Sequence, residues 1–404
     1  MRHRPKRTAM RLALIPALAA VVLLGCGASN ATTNSNSAVV KPVSPSRFQD
    51  DYDAHLATNN KELFLAVTGK DKRGNVGSQV LRLVGSRWEQ VGQARTATTS
   101  TAVSIAAANS VSRQGFEICN GFSVLDKRAE SGVSPLVRCL KNGRWRHLRA
   151  AKTLRSLYLQ GIDFDNGSFV GLFSAVKGKR SVVRMGRIAH SRVVPMGRPL
   201  NLDGQYTANF GEKTEKTDNS GFDVAVRDGN GTRFVATLKN GSWDRSARVP
   251  NVTLGPQLSG SVRNAKQLFL PVTEVVKEGP DVYDWPLSIY ATLGESWTEL
   301  GGQPVNVGEG SAQGSLNAVG NEIWASWVQN ALNPKGFFDT TNFVAQVDPK
   351  TMTIGEPELL WSGKAYAPGK TQVLRYKGTP TFMYFRQFAG KRGLHVTIEG
   401  EDAR

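Results

Sequence analysis

The sequence predicts an all-β fold of the β-propeller kind. The ring has seven blades, with six as the alternative, and each blade is a four-stranded antiparallel sheet of about 50 residues. Three observations lead there. A ten-residue phrase returns, as LVRCLKNGRW at 136–145 and FVATLKNGSW at 234–243. Its relatives along the chain stand at multiples of one spacing. Two further strand-like segments precede each copy.

Each copy consists of an alternating apolar run, a tight turn containing Gly, a Trp and a short second run, which is the pattern of a β-hairpin. VLRLVGSRWEQVG and SIYATLGESWTELGG are two more copies. The tryptophans are Trp88, Trp145, Trp243 and Trp297, separated by 57, 98 and 54 residues. The middle interval is about twice 50, so a degenerate copy belongs inside it. SVVRMGRIAHSRVVPMGRPL (181–200) fits, with Val193 in the tryptophan position, and FVAQVDPKTMTIGEPELL (343–360) is another candidate.

The upstream strand pairs are YDAHLATNN with ELFLAVTG in the first unit, RSLYLQGIDFDNG with SFVGLFSAV in the third, and QGSLNAVGN with EIWASWVQ in the sixth. The blades then run over about 50–97, 98–150, 151–199, 200–250, 251–305, 306–361 and 362–404. The last contains only KTQVLRYKG, TFMYFRQF and LHVTIEG. SAVVKPV (37–43) is expected to supply its outer strand, closing the ring and covering an open edge. The 41 glycines and 40% hydrophobic content suit a turn-rich globular chain. A pair of β-sandwiches would not require a 50-residue period.

The N-terminus carries an address. MRHRPKRTAMR is basic, Leu12–Leu24 is apolar, and Gly25 and Cys26 follow. Thirteen apolar residues are fewer than the roughly 20 of a bilayer span, and the order is that of a signal peptide. LLGC (Leu23–Cys26) resembles the lipobox of bacterial lipoproteins, although Leu24 departs from the small or β-branched residue usual at its place. The resemblance implies diacylglyceryl transfer to Cys26 and cleavage before it. Residues 1–25 are then a signal peptide, 26–36 the lipidated cysteine and a tether, and 37–404 the propeller. GASNATTNSNS after Cys26 has neither charge nor apolar period and reads as a flexible tether. The expected location is the outer face of the cytoplasmic membrane, in the cell envelope, through a lipid anchor.

Formal charge is +18, from 51 Lys+Arg against 33 Asp+Glu. Five of the basic residues precede position 12, so the mature chain keeps 46 and a net +13. Such a surface attracts anionic polymers or headgroups. The expected partners are therefore the membrane, through its anchor, and an anionic envelope polymer, a glycan or a protein. No nucleic acid is expected, and the chain is expected to be a monomer.

Cys119 in FEICNGF and Cys139 in LVRCLKNG fall on neighbouring strands, with the midpoint of their separation in the polar turn KRAESG. That register sets them opposite each other, and an exported chain favours a disulfide. The histidines (His3, His55, His147, His190 and His395) show no metal-ligand spacing. There is no G-x-S-x-G, H-E-x-x-H or P-loop, so no catalytic, metal or cofactor site is expected. Asp163 and Asp165 in GIDFDNG begin like a calcium loop but lack the later ligands, and read as a polar turn.

The links between second and third strands are long at 69–78, 125–134, 273–286 and 329–342. The last two carry Tyr283, Trp285, Phe337 and Phe338, the candidate binding residues, because rigid scaffolds present ligands on such loops. Local packing of these rings is the competing reading. GESW (Gly294–Trp297) resembles a fragment of the sialidase-type Asp-box repeat, with Thr292 where the Asp would stand. The resemblance implies a second functional class, a glycan-active enzyme. That class would need arginines converging on the channel, and Arg155, Arg184, Arg233 and Arg375 are the available ones. A non-enzymatic binding or scaffolding propeller ranks first.

Overall fold

The computed structural model describes residues 48–399 except 72–75, 86, 98–102, 111, 205, 218–220, 228–231, 250–259, 274–275, 278–282, 285–286, 303–312, 333–337, 366–369 and 387–394. The chain divides into two units, 1–35 and 36–404, and the described residues all belong to the second. Among them no helix is long and apolar enough to cross a membrane.

The strands form successive antiparallel meanders. The first is Phe48–Thr58, Leu63–Asp71, Val76–Val84 and Arg87–Gln90. The second is Ser104–Ala107, Ile118–Leu125, Val133–Lys141 and Arg144–Ala150. The third is Tyr158–Asp165, Ser168–Lys177, Arg180–Ile188 and Arg192–Asp203. The fourth is Thr207–Phe210, Phe222–Arg227, Arg233–Lys239 and Ser242–Arg245. The fifth is Val262–Asn264, Gln267–Thr273, Leu287–Leu293 and Ser296–Glu299. The sixth is Gln313–Val319, Glu322–Leu332, Phe338–Asp348 and a split outer strand, Thr353–Ile354 and Glu358–Ala365. The last is Lys370–Tyr376, Thr379–Arg386 and His395–Glu399.

Inner strands neighbour inner strands, and Phe48–Thr58 of the first meander touches both Ser104–Ala107 and Lys370–Tyr376. The last meander therefore meets the first. Leu56 N donates to Gln372 Oε1 at 3.1 Å, and Lys377 N to Asn60 O at 2.8 Å. Apolar burial sits between neighbours. Val170, Leu172 and Met185 pack on Val224 and Phe234 across the third and fourth meanders, and Phe269 and Ile289 pack on Ile323 and Trp327 across the fifth and sixth. Leu374 and Tyr376 pack on Leu56, Leu63 and Leu65 across the closing joint. This is a β-propeller, whose stability lies in its joints.

The recurring phrase now has its physical reason. In LKNG-x-W the turn residues Asn142 and Gly143, and again Asn240 and Gly241, all have positive φ, the backbone of a tight two-residue hairpin. The turn sets the tryptophan opposite the residue before the Lys: Trp145 faces Leu140, and Trp243 faces Leu238. From there the indole N–H reaches the outer strand of the preceding meander or the residues just after it. Trp145 Nε1 donates to Val91 O at 2.8 Å, Trp243 Nε1 to Arg198 O at 2.8 Å, and Trp297 Nε1 to Ala247 O at 2.7 Å. Gly92 allows the approach, since a Cβ there would stand 2.5 Å from the Trp145 ring.

Val193 holds the tryptophan position of the third meander, facing Ile188 as expected. It cannot donate from its side chain, and the joint is made differently. Arg192 and Val193 pair in parallel with Arg149 and Ala150 of the second meander, Ala151 N donates to Val193 O at 2.9 Å, and Val193 is wholly buried. The sixth meander does the same with Thr353 and Ile354 against Gly301 and Gly302.

Cys119 and Cys139 are ladder partners and form a disulfide, Cα to Cα 4.1 Å. The closed loop stabilises by roughly 3 kcal/mol in the chain-entropy model. Cys26 and residues 37–43 lie outside the described residues.

Candidate functional site

Links between first and second strands are short in most meanders: Asn166 and Gly167 in the third, Ala265 and Lys266 in the fifth, Gly320 and Asn321 in the sixth. Two are long, 108–117 in the second meander and 211–221 in the fourth. Both border one cavity of about 530 Å³.

The fourth link forms a strap. Gly211 N donates to Asp223 O at 2.8 Å within its own meander, then Glu212 N to Ser261 O at 2.7 Å and Thr214 N to Arg263 O at 2.9 Å, both in the fifth. Glu212 and Lys213 thereby add a short parallel strand to Val262 and Arg263. The strap continues to the sixth meander, where Glu215 N donates to Gly320 O at 2.8 Å, and its Glu215 carboxylate pairs with Arg375 of the last. On the other side Lys213 Nζ meets Asp165 Oδ2 of the third at 2.9 Å. One link thus touches four other meanders and crosses the ring at this turn face. Gly260 makes room, because a Cβ there would lie 2.2 Å from Phe210 O.

Three carboxylates anchor this mouth in different ways. Asp223 is buried and accepts both Arg263 Nε at 2.6 Å and Nη2 at 2.7 Å, a forked ion pair between fourth and fifth meanders. Glu212 reaches the sixth meander, accepting Ala318 N at 2.6 Å and Asn317 Nδ2 at 3.2 Å. Desolvation raises its pKa to about 7; the two hydrogen bonds oppose that, and the nearby Asp163 charge adds to it. Asp163 accepts Phe164 N at 2.7 Å, and desolvation followed by the Asp165 charge raises its pKa to about 6. Both acids keep partial exposure on the cavity wall.

The rest of the wall is mixed. Asn109, Ser110, Thr214 and Thr217 supply neutral polar groups, Lys213 is the cation, and Phe164, Phe210 and Phe222 are the apolar surface. Carboxylates accept from ligand hydroxyls, the amide and ammonium donate to them, and phenyl faces cover apolar edges. Two acids poised near neutrality can also exchange protons. Among the described residues no group of His, Cys, Asp and Glu could hold a metal ion.

Trp285 and Phe337 lie outside the described residues, and Tyr283 and Phe338 are described by backbone alone. Tyr283 pairs with Lys277, and Phe338 with Leu332. All four long links are strand in part: the ladder at 329–342 continues from Gln329↔Thr341 to Leu332↔Phe338, Lys70 pairs with Val76, Leu125 with Val133, and Val276 with Asp284. Of the four arginines, Arg375 alone lies on an inner strand, and Glu215 engages it, while Arg233 is fully buried. Asp163 and Asp165 end the strand that precedes the turn at Asn166 and Gly167, and also line the cavity. Thr292 Oγ1 accepts Leu268 N at 2.9 Å, a structural bond between neighbouring strands of the fifth meander.

No family model matches the chain, and no curated protein matches its sequence. Solved structures do match. An ulvan lyase of a polysaccharide lyase family is 10% identical with a TM-score of 0.57, covering 88% of this chain and 95% of its own. The β-propeller domain of the trilobed protease from Pyrococcus furiosus, with its open velcro topology, is 9% identical with a TM-score of 0.50, covering 88% and 97%. A Hadza microbial sialidase is 12% identical with a TM-score of 0.46, covering 90% and 68%. At these identities the likeness is one of fold, and the class it defines is the β-propeller.

Proposed function

We propose that the chain is an envelope-anchored binding propeller that holds a hydroxyl-rich ligand, a glycan, in the cavity beside the strap. The observation that carries this reading is the cavity wall itself: carboxylates, amide, hydroxyls and one ammonium interleaved with three phenyl rings around about 530 Å³. Titration calorimetry against a panel of soluble oligosaccharides tests it. At least one should bind, and Asp163→Asn or Glu212→Gln should weaken it by tenfold or more. Binding unchanged by both substitutions would overturn the assignment.

A second reading, a glycan-active enzyme, is favoured by one feature. The Asp163 and Glu212 carboxyls both titrate near neutrality, as an acid–base pair requires. New reducing ends released from the bound oligosaccharide by the full chain but not by Glu212→Gln would decide for it.

The anchor is the lipid on Cys26, which holds the propeller at the outer face of the cytoplasmic membrane. Cys26→Ser should move the protein out of the membrane fraction or block its maturation. A variant that is processed and retained normally would remove the anchor. The ring has seven blades, with 37–43 as the outer strand of the last. In support, Trp88 faces Leu83 like the other repeat tryptophans, yet its buried Nε1 has no hydrogen-bond partner among the described residues. Its acceptor by the repeat rule belongs to that missing outer strand.

A further inference from the structure

The positive charge is concentrated in one arc of the ring. Between Glu130 and Asp203 the sequence has 14 Lys/Arg and two acids, Asp163 and Asp165, both on the cavity wall. From residue 204 to the C-terminus 20 Lys/Arg stand against 21 Asp/Glu. The basic arc is the second and third meanders, and their outer strands carry much of it.

Arg144, Arg146 and Arg149 are exposed on the outer strand of the second meander, and Arg192 and Arg198 on that of the third. The parallel pairing sets Arg149 beside Arg192 and runs the two strands on, one after the other. By strand rise the charged line is about 35 Å long. Like charges placed side by side on paired strands repel. No ion pair among the described residues relieves any of these five arginines. His147 on the same strand has its pKa lowered, by burial first and then by the charges of Arg95 and Arg138.

We propose that this line of arginines on the outer rim of the second and third meanders is a docking surface for an acidic polysaccharide. It is separate from the cavity beside the strap and does not rest on that assignment. Guanidinium forks match carboxylate and sulfate oxygens. A line one strand wide suits an extended chain better than a bilayer plane. Single-stranded nucleic acid would want stacking platforms. The one aromatic on the line, Trp145, is half-buried, gives its N–H to Val91 O, and lies under Arg138 at 4.6 Å.

The test compares two triple variants of the full chain with equal charge change. One is Arg146→Glu with Arg149→Glu and Arg192→Glu. The other is Lys239→Glu with Lys266→Glu and Lys350→Glu, exposed lysines of the fourth, fifth and sixth meanders. The probe is a heparin oligosaccharide, with neutral dextran and phosphatidylglycerol vesicles alongside. Heparin should bind and dextran should not. The arginine triple should weaken heparin binding at least tenfold and flatten its salt dependence, while the lysine triple should change it less than threefold. A third variant, with Gln at the same three arginine positions, should also lose binding and guards against misfolding, which thermal melts of all variants monitor. Equal losses in both Glu triples would reduce the effect to net charge. Vesicle binding that follows the arginines without heparin binding would assign the rim to a membrane. Either result overturns the proposal.

Discussion

The joints between meanders and the strapped mouth of the ring are built on opposite principles. Every joint solves one problem, how an outer strand is tied to its neighbour, and two solutions cover those described. Trp145, Trp243 and Trp297 reach back with an indole N–H, whereas Val193 and Ile354 sit in short parallel ladders. The strap occurs once. It replaces a two-residue turn with an eleven-residue link, brings Glu212 and Lys213 across to other meanders, and leaves a cavity that the regular pattern would not have. The contrast teaches that the repeat serves stability, and that chemistry gathers where the repeat is broken.

The largest expected effect breaks a joint. Trp297 is 7% exposed, and Trp297→Ala removes both its packing and its bond to Ala247 O, so it should destabilise by about 3–5 kcal/mol in denaturant titration. Val193→Ala, in the ladder-type joint, should cost about 2 kcal/mol, because the backbone bonds remain. Equal losses at the two sites would mean that the two joints do not divide the work as described. Neither substitution should alter oligosaccharide affinity in protein that remains folded.

The smallest effect reads the mouth. Burial pushes the pKa of Glu212 up from its ordinary 4.5 to about 7, and that of Asp163 from 3.8 to about 6. The native state therefore binds more protons than the unfolded chain in that window, and stability should fall as pH rises from about 4 to 7. The limiting slope is on the order of 1 kcal/mol per pH unit for one such group. Glu212→Gln should flatten the upper part of the curve. An unchanged slope would show that Glu212 is not the titrating group.

The hairpins that carry the joints were legible in the sequence because one physical requirement recurs; the indole bonds back to the preceding meander were not. Each tight turn needs positive φ, supplied at Gly143, Gly241 and Gly294, and the second position after the turn carries the tryptophan; even Val193 could be placed by spacing alone. The disulfide followed from the same register. The strap was not legible, since GEKTEKT reads as a polar loop and its partners lie about 50 and 105 residues away. A signal was nevertheless present. Two links between first and second strands are long, and both border the cavity, whereas the expectation rested on links between second and third strands, all of which prove to be strand in part. The turn expected around Asp163 and Asp165 falls just after them, at Asn166 and Gly167, while both aspartates end the strand before it, and their place on the cavity wall needed the strap beside them.

The most direct test sets the strap against the aromatic links expected from the sequence in one titration. The oligosaccharide that binds the full chain is measured against Glu212→Gln, in the strap, and against Trp285→Ala, in a link expected from the sequence to bind. The expected result is a loss of tenfold or more for Glu212→Gln and no change for Trp285→Ala. The reverse pattern would contradict the account and return the binding site to the aromatic loops.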